Sequence, residues 1–364
     1  MVIAFFITFL ILFIAGHFWL TVLVARFLEI KSRRARLAYY AALNFLFFSI
    51  ILANYLIRIW ENDITRIYYY VANVWLGFLV NFVLLFLAAG LVKLIYKKVS
   101  KRLLKIIIFG GAIVLSLFGL YQARVSRVTS YEVFIKDLPT VWENKTIVHI
   151  SDIHLGPIYR ANAWNRLLTK VGELNPEAVF ITGDLFDGSE SDFSWLGKPL
   201  AHVNPPQGVY FAYGNHDSYL GYSRVQELFQ EYPITILDDK LVEQNGLQII
   251  GLNYRQNSLS DWNKETLDAL NYQKDQASLL LFHEPKNIAL AKELGIDLQL
   301  SGHTHNGQLF PFNFLAKLAY QGFNYGLYQD ESFSLLVSRG VGTWGPPLRT
   351  SGSSEIVKII LKKK

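Results

Sequence analysis

The chain has 364 residues, a net charge of +6 and no cysteine. That length leaves room for more than one domain, and the missing cysteines exclude disulfides and thiolate metal sites, so any metal must be held by His, Asp, Glu or Asn. The surplus of Lys and Arg sits in short loops between apolar runs, which points to membrane topology and gives no reason to expect a nucleic-acid partner.

Four runs free of Asp, Glu, Lys and Arg come first: Val2 to Ala25, Leu37 to Ile57, Ile67 to Val92 and Ile106 to Ala123. At about 1.5 Å per residue they reach roughly 27 to 39 Å, against a hydrocarbon core of about 30 Å. Each can span. The first lacks a basic n-region and exceeds the roughly 7 to 15 apolar residues of a secretory signal, so it reads as a retained helix. Arg26, Lys31, Arg33, Arg34 and Arg36 follow the first run, and Lys93, Lys97, Lys98, Lys101, Arg102 and Lys105 lie between the third and fourth. The connection from Arg58 to Arg66 offsets its two arginines with Glu61 and Asp63. Both basic loops are therefore expected in the cytoplasm, with both termini and everything after Ala123 outside the cell membrane. His17, Asn44, Asn54, Asn73 and Asn81 lie inside the runs without charged company, and helix packing is their expected role.

Residues 1–123 thus read as a four-helix transmembrane domain, 124–145 as a linker and first strand, and 146–364 as a second domain. Gln122 to Ser130 is the polar link. Beyond it, short apolar runs alternate with helix-like stretches, the pattern of an α/β domain. Strands are expected at Thr146 to Ile150, Ala178 to Thr182, Val209 to Tyr213, Leu247 to Leu252, Leu279 to Phe282, Leu298 to Leu300, Phe333 to Ser338 and Glu355 to Leu361. Helices are expected at Ala161 to Leu174 and at Asn287 to Leu294, the latter closed by Gly295.

Five of these strands end in polar clusters: Asp152-Ile153-His154, Gly183-Asp184, Gly214-Asn215-His216-Asp217, His283, and Gly302-His303-Thr304-His305. Carboxyl ends of strands are where open α/β sheets gather their ligands, so these blocks are expected to converge. In this order and spacing they resemble the calcineurin-like metallophosphoesterase superfamily over roughly Thr146 to Leu361. The resemblance implies two mixed β-sheets packed face to face with helices outside. The four-span amino-terminal part, the run Gly302 to Gln308 and the stretch Ser338 to Gly342 are similar to a bacterial membrane-attached branch. Some relatives of that branch hydrolyse the pyrophosphate of UDP-diacylglucosamine.

By that resemblance Asp152, His154 and His305 bind one divalent metal, Asn215, His283 and His303 bind a second, and Asp184 bridges both. Two cations about 3.5 to 4 Å apart generate a hydroxide and clamp the displaced oxygens of a phosphoester. The ligand types suit Mn2+, Fe2+ or Zn2+. His216 would act as acid towards the leaving group, and Asp217 would orient its ring and hold it protonated. Glycines 156, 183, 214 and 302 would let backbone approach the metals. Arg160, Arg339 and Arg349 are candidates for gripping phosphate oxygens. His149 and His202 lie outside every motif and read as structural.

Phe310 to Tyr328 holds seven aromatic residues directly after the metal turn. They read as loop packing against the sandwich, or as a surface for acyl chains or the lipid interface. The expected function is a membrane-bound two-metal phosphohydrolase acting on a phosphodiester or pyrophosphate, with a lipid-linked substrate as one case. A tethered phosphodiesterase for soluble substrates is the alternative, and a non-catalytic scaffold or sensor a further one. Nothing in the sequence bears on oligomeric state.

Overall fold

Four helices follow one another from the start: α1 (Val2–Leu28), α2 (Arg33–Ile59), α3 (Asp63–Ile95) and α4 (Lys101–Arg124). They belong to a computed structural model that describes residues 2–189, 192–200, 203–254, 262–330 and 332–364, with side chains from residue 14 onward except 198. The chain divides into two units, Met1–Ile113 and Val114–Lys364, and α4 runs from the first into the second.

In the first unit, the helix starts are set by capping side chains. Ser32 Oγ accepts the Ala35 N–H ahead of α2. Asn62 accepts from Ile64 and Thr65 while Thr65 Oγ1 accepts from Asn62 N–H at 2.9 Å, a reciprocal pair that satisfies donors the helix cannot. α2, α3 and α4 are long and apolar enough to cross a membrane. The described apolar part of α1, Ile14–Leu28, is shorter, and the first half of the first expected span, residues 2–13, has its side chains outside the description. Val24, Phe82, Ala89, Leu104, Ile108 and Ala112 bury against one another, while Ile51, Leu52, Leu91 and Leu94 stay exposed. His17 Nε2 lies 3.2 Å from Asn44 Oδ1, and the Asn54 and Asn73 amides donate to Ile50 and Tyr69 carbonyls. The first contact joins α1 to α2 and the other two stay within their own helices, in keeping with packing roles.

The second unit contains twelve strands among its described residues: β1 (Arg127–Ile135), β2 (Thr146–Ile150), β3 (Ala178–Thr182), β4 (Val209–Ala212), β5 (Ile234–Ile236), β6 (Lys240–Gln244), β7 (Leu247–Gly251), β8 (Ser278–Leu281), β9 (Leu298–Ser301), β10 (Gly326–Gln329), β11 (Ser334–Val337) and β12 (Glu355–Lys363). One mixed sheet has the order β1-β12-β2-β3-β4-β5 and the other β10-β11-β9-β8-β7-β6. Between them Ile147, Phe180 and Ala212 of the first sheet meet Leu279, Leu281 and Leu300 of the second. The opposite face of the first sheet carries Val148, Ile150, Val179 and Ile181, covered by α5 (Ala161–Glu173). That helix buries Trp164, Leu167, Leu168 and Val171, spaced i, i+3, i+4, i+7 as one helical face requires. Strands buried on both faces read as unbroken apolar runs, which is why β2, β3 and β4 stand out in the sequence.

The expected strands and both expected helices form, with ends shifted by a residue or two. Arg127 to Ser130 departs from the polar link expected there. These four residues are the first half of β1, paired in parallel with β12 from Arg127↔Glu355 to Ile135↔Lys363. β1 is an edge strand whose first half, Arg127 to Ser130, is mostly polar and only partly buried, so no apolar run marks it there. The aromatic segment also differs from a packed loop: Phe312–Ala319 is a helix with no buried residue.

Candidate metal centre

Each polar block sits just past the carboxyl end of its strand: Asp152 and His154 after β2, Asp184 after β3, Asn215 after β4, His283 after β8, and His303 and His305 after β9. Immediate reversal of the chain is what turns these side chains into one space. Asp152, His154, Asp184, His303 and His305 all have φ between 48° and 68°, a left-handed conformation that non-glycine residues rarely adopt. Held strain of this kind clusters at functional sites. A Cβ on Gly183 would stand 2.6 Å from both Gly214 N and His283 Nδ1, and one on Gly302 would stand 2.3 Å from Asp152 Oδ2. Glycine here is a requirement of close approach between the loops themselves.

The donors fall into two groups that share Asp184. His154 Nε2 lies 3.1 Å from His305 Nε2, which lies 3.4 Å from Asp152 Oδ1. His283 Nε2 lies 3.1 Å from Asp184 Oδ2 and 3.1 Å from His303 Nδ1, which is 2.9 Å from Asn215 Oδ1. Asp184 Oδ2 is also 3.9 Å from His154 Nε2. Ring nitrogens facing one another at 3.1 Å cannot all be protonated, and lone pairs converging with carboxylate oxygens suit a divalent cation. All seven expected ligands are thus together.

Ring orientation is set one layer out. His283 Nδ1 lies 2.8 Å from the Thr182 carbonyl, which can only accept, so Nδ1 carries a hydrogen and Nε2 is the nitrogen turned towards Asp184. His216 follows the same rule: its Nδ1 is 2.9 Å from the Asp187 carbonyl, leaving Nε2 available, and its main-chain N–H donates to Asp184 Oδ1. Its ring packs edge-on against His154 at 4.7 Å.

The expected partnership of Asp217 with the His216 ring is not formed. The Asp217 carboxylate accepts main-chain N–H groups of Asp184, Gly214 and Phe186 at 2.7, 2.8 and 3.0 Å, because the short helix that starts at Asn215 turns it inward beneath the loops. It ties the β3 and β4 turns together. Asp187 and Glu284, not singled out from the sequence, stand at the site: Asp187 Oδ1 is 3.5 Å from His154 Nδ1 and Glu284 Oε1 is 3.3 Å from His303 Nε2. Glu284 directly follows His283 and Asp187 lies shortly beyond Asp184, and that nearness to a recognised block is the one signal that could have marked them.

Charge in the cluster follows burial first and neighbours second. Burial opposes charge on His283, yet the adjacent Asp184 and Asp152 carboxylates prevail and raise it to about 10. Burial would push Asp184 up, and His283 and His154 hold it well below the usual carboxylate range. Burial and then His283 lower His303 to about 3, and burial, His154 and Arg349 lower His305. Burial, followed by the nearby Asp184, raises Asp217 to about 7 against the pull of its main-chain donors. His216 is lowered by burial and by His154.

Two of the three arginines expected to grip phosphate, Arg349 and Arg339, are engaged elsewhere. Arg349 is 1% exposed and spends its guanidinium on the carbonyls of Gly340, Gly342 and His305, with Nη2 also 3.2 Å from His305 Nδ1. Buried and ringed by acceptors, it is a brace behind the centre. Arg339 pairs with buried Glu355 at 3.3 Å and lies over the Tyr325 ring. Arg160 precedes α5 and lies over the Trp195 ring. His149 is structural as expected, fully buried with Nε2 2.7 Å from Thr182 Oγ1. His202 lies outside the described residues.

A family model described as calcineurin-like phosphoesterase matches residues 145–307. The chain is 35% identical over 348 residues to a metallophosphoesterase of Campylobacter jejuni, spanning 90% of this chain and 91% of that protein. It is 34% identical over 268 residues to a transmembrane protein with metallophosphoesterase domain from Danio rerio, across 69% of this chain and 61% of that one. A metallophosphoesterase of Aquifex aeolicus is 29% identical over 265 residues, which cover 70% of this chain and 98% of its own length.

Proposed function

The chain belongs to the calcineurin-like metallophosphoesterase family, and from that premise we propose a membrane-bound two-metal phosphohydrolase that cleaves a phosphodiester or pyrophosphate bond. The favoured case is a lipid-linked substrate of the kind represented by UDP-diacylglucosamine. The observation that carries this reading is the place of Asp184, whose Oδ2 faces nitrogens of both groups, His283 at 3.1 Å and His154 at 3.9 Å. One cation would be held by Asp152, His154 and His305, the other by Asn215, His283 and His303, with Asp184 common to both; Mn2+, Fe2+ or Zn2+ suits these donors. Such cations supply Lewis-acid charge to the phosphoryl oxygens and acidify the attacking water.

The chain's own groups do the remaining work. His216 has its Nδ1–H committed to the Asp187 carbonyl, so proton exchange with a leaving oxygen falls to Nε2. Asp217 keeps the β3 and β4 turns in register, and Arg349 fixes His305 from behind. The basic loops after α1 and between α3 and α4 favour four spans with the catalytic unit on the extracytoplasmic side.

The test is hydrolysis by the full chain in lipid nanodiscs after loading with Mn2+, comparing a soluble aryl phosphodiester with a diacylated nucleotide-sugar pyrophosphate. Faster turnover of the diacylated substrate is expected. Turnover of the aryl ester alone would leave a tethered phosphodiesterase for soluble substrates. No turnover of either with both metals bound would overturn the hydrolase reading.

A further inference from the structure

The helix Phe312–Ala319 follows the His303/His305 turn and exposes almost only apolar side chains. Phe312, Phe314, Leu315 and Leu318 are 42%, 60%, 61% and 79% exposed, and the helix has no buried residue. Soluble surfaces rarely carry such a patch without a partner. Its one charged residue, Lys317, has a stem long enough to lie along an apolar layer with its ammonium in the headgroups.

What covers the patch is indicated by its neighbour within the same unit. The Phe310 N–H donates to Thr350 Oγ1 at 2.9 Å, and the Thr350 N–H donates to the Gln308 carbonyl at 3.0 Å. One residue earlier, the Arg349 N–H donates to the Gly119 carbonyl of α4 at 3.0 Å, and a Cβ on Gly119 would stand 3.2 Å from Leu348 Cβ. Arg349 and Thr350 therefore tie the start of the apolar helix directly to α4. Around Gly119, α4 turns Val114, Leu117, Phe118 and Tyr121 outward. Two exposed apolar surfaces are thus joined by a two-residue strap, and one of them belongs to a helix long and apolar enough to cross a membrane.

We propose that Phe312–Ala319 lies in the interfacial layer of the bilayer that α4 crosses, as an in-plane helix docking the catalytic unit onto lipid. The inference rests on the reading of α4 as a membrane span. Its consequence for the site is direct, because Tyr320, the next residue, packs 6.0 Å from the His303 ring. Exposed Trp344, 6.1 Å from the His216 ring, stands on the other side of the centre. A substrate could present its phosphate to the centre while its acyl chains stay in the bilayer.

The absence of cysteine makes the test clean. Leu318→Cys and Phe314→Cys in the full chain, each carrying a nitroxide, are placed in phosphatidylethanolamine–phosphatidylglycerol vesicles. Collision with oxygen and with a water-soluble nickel chelate is read by power saturation. Val114→Cys provides the hydrocarbon standard and Glu243→Cys, on exposed β6, the water standard. The expected result is an oxygen-to-nickel ratio at 318 and 314 several-fold above that at 243 and below that at 114, as a shallow position requires. A water-like ratio at 318 and 314 with a lipid-like one at 114 overturns this inference alone. A water-like ratio at 114 overturns the membrane reading with it. Dipolar broadening at 318 that vanishes on dilution with unlabelled chain, without the lipid-like ratio, assigns the patch to a second copy and also overturns the proposal. Leu318 and Phe314 are exposed, so neither substitution removes core packing.

Discussion

His283 Nε2 stands 3.1 Å from Asp184 Oδ2, and the same oxygen is the one nearest His154 on the opposite side of the centre. One carboxylate is therefore common to both nitrogen groups, and its charge is what keeps His283 a strong base in a fully buried position. Replacing Asp184 by Asn preserves size and removes that charge. The Asp184→Asn protein is expected to keep its helical and strand content, lose metal and fall in kcat by roughly 10²–10³-fold or more. Elemental analysis of the purified protein beside its turnover of an aryl phosphodiester checks this; full activity at normal metal loading would refute the shared-carboxylate assignment.

His216 acts through one nitrogen, because the Asp187 carbonyl occupies the other. Its removal should matter most where the departing oxygen needs a proton. His216→Ala is expected to lose roughly 10²–10⁴-fold on substrates with poor leaving groups and much less on nitrophenyl esters. A plot of log kcat against leaving-group pKa, steeper in the variant, is the readout. Parallel lines would count against the acid role.

Arg349 is enclosed by carbonyls and by His305, so its loss should be felt in the fold before it is felt by substrate. Arg349→Met leaves several buried acceptors unpaired, each costing about 1–3 kcal/mol. A clear drop in melting temperature is expected, with KM unchanged in the fraction that retains metal. A raised KM with an unchanged melting temperature would restore the phosphate-gripping role.

His149 is neutral in the folded chain, burial having lowered it from 6.5 to about 3. Between those values the unfolded chain binds a proton that the folded chain refuses. Stability is fully present above pH 6.5 and falls as the pH drops towards 3, by up to about 4 kcal/mol from this group alone. His149→Gln, which can keep the contact with Thr182, is expected to flatten that fall. Melting temperatures of both proteins measured from pH 7 to pH 4.5 would show it, and identical slopes would exclude His149 as the source.

The convergence of the seven candidate side chains was legible because their chemistry is concentrated at strand ends. β2, β3, β4, β8 and β9 announce themselves as apolar runs, and each stops at a polar cluster that has no place in a core. What could not be read was direction. Asp217 follows His216 in the chain, yet the start of a short helix points it beneath the loops at Asp184 N–H and Gly214 N–H. Arg349 looks like any other arginine until the backbone of Gly340 and Gly342 is folded around it. Asp187 and Glu284 belong to no repeated spacing, and only the crossing of distant loops brings them to His154 and His303. β1 was hidden for a different reason: its outer residues face away from the core, and its partner β12 lies more than two hundred residues along the chain.

That pairing has a consequence for how the protein is made. β12 inserts between β1 and β2, so the first sheet has a gap until residue 363 has emerged. Thr129 of β1 and Glu355 of β12, bonded to each other, are separated by 226 residues, which at about 5–20 residues per second takes on the order of ten seconds or more to synthesise. By then every apolar helix has long since left the ribosome. The apolar helices are complete first, and the phosphoesterase unit closes afterwards.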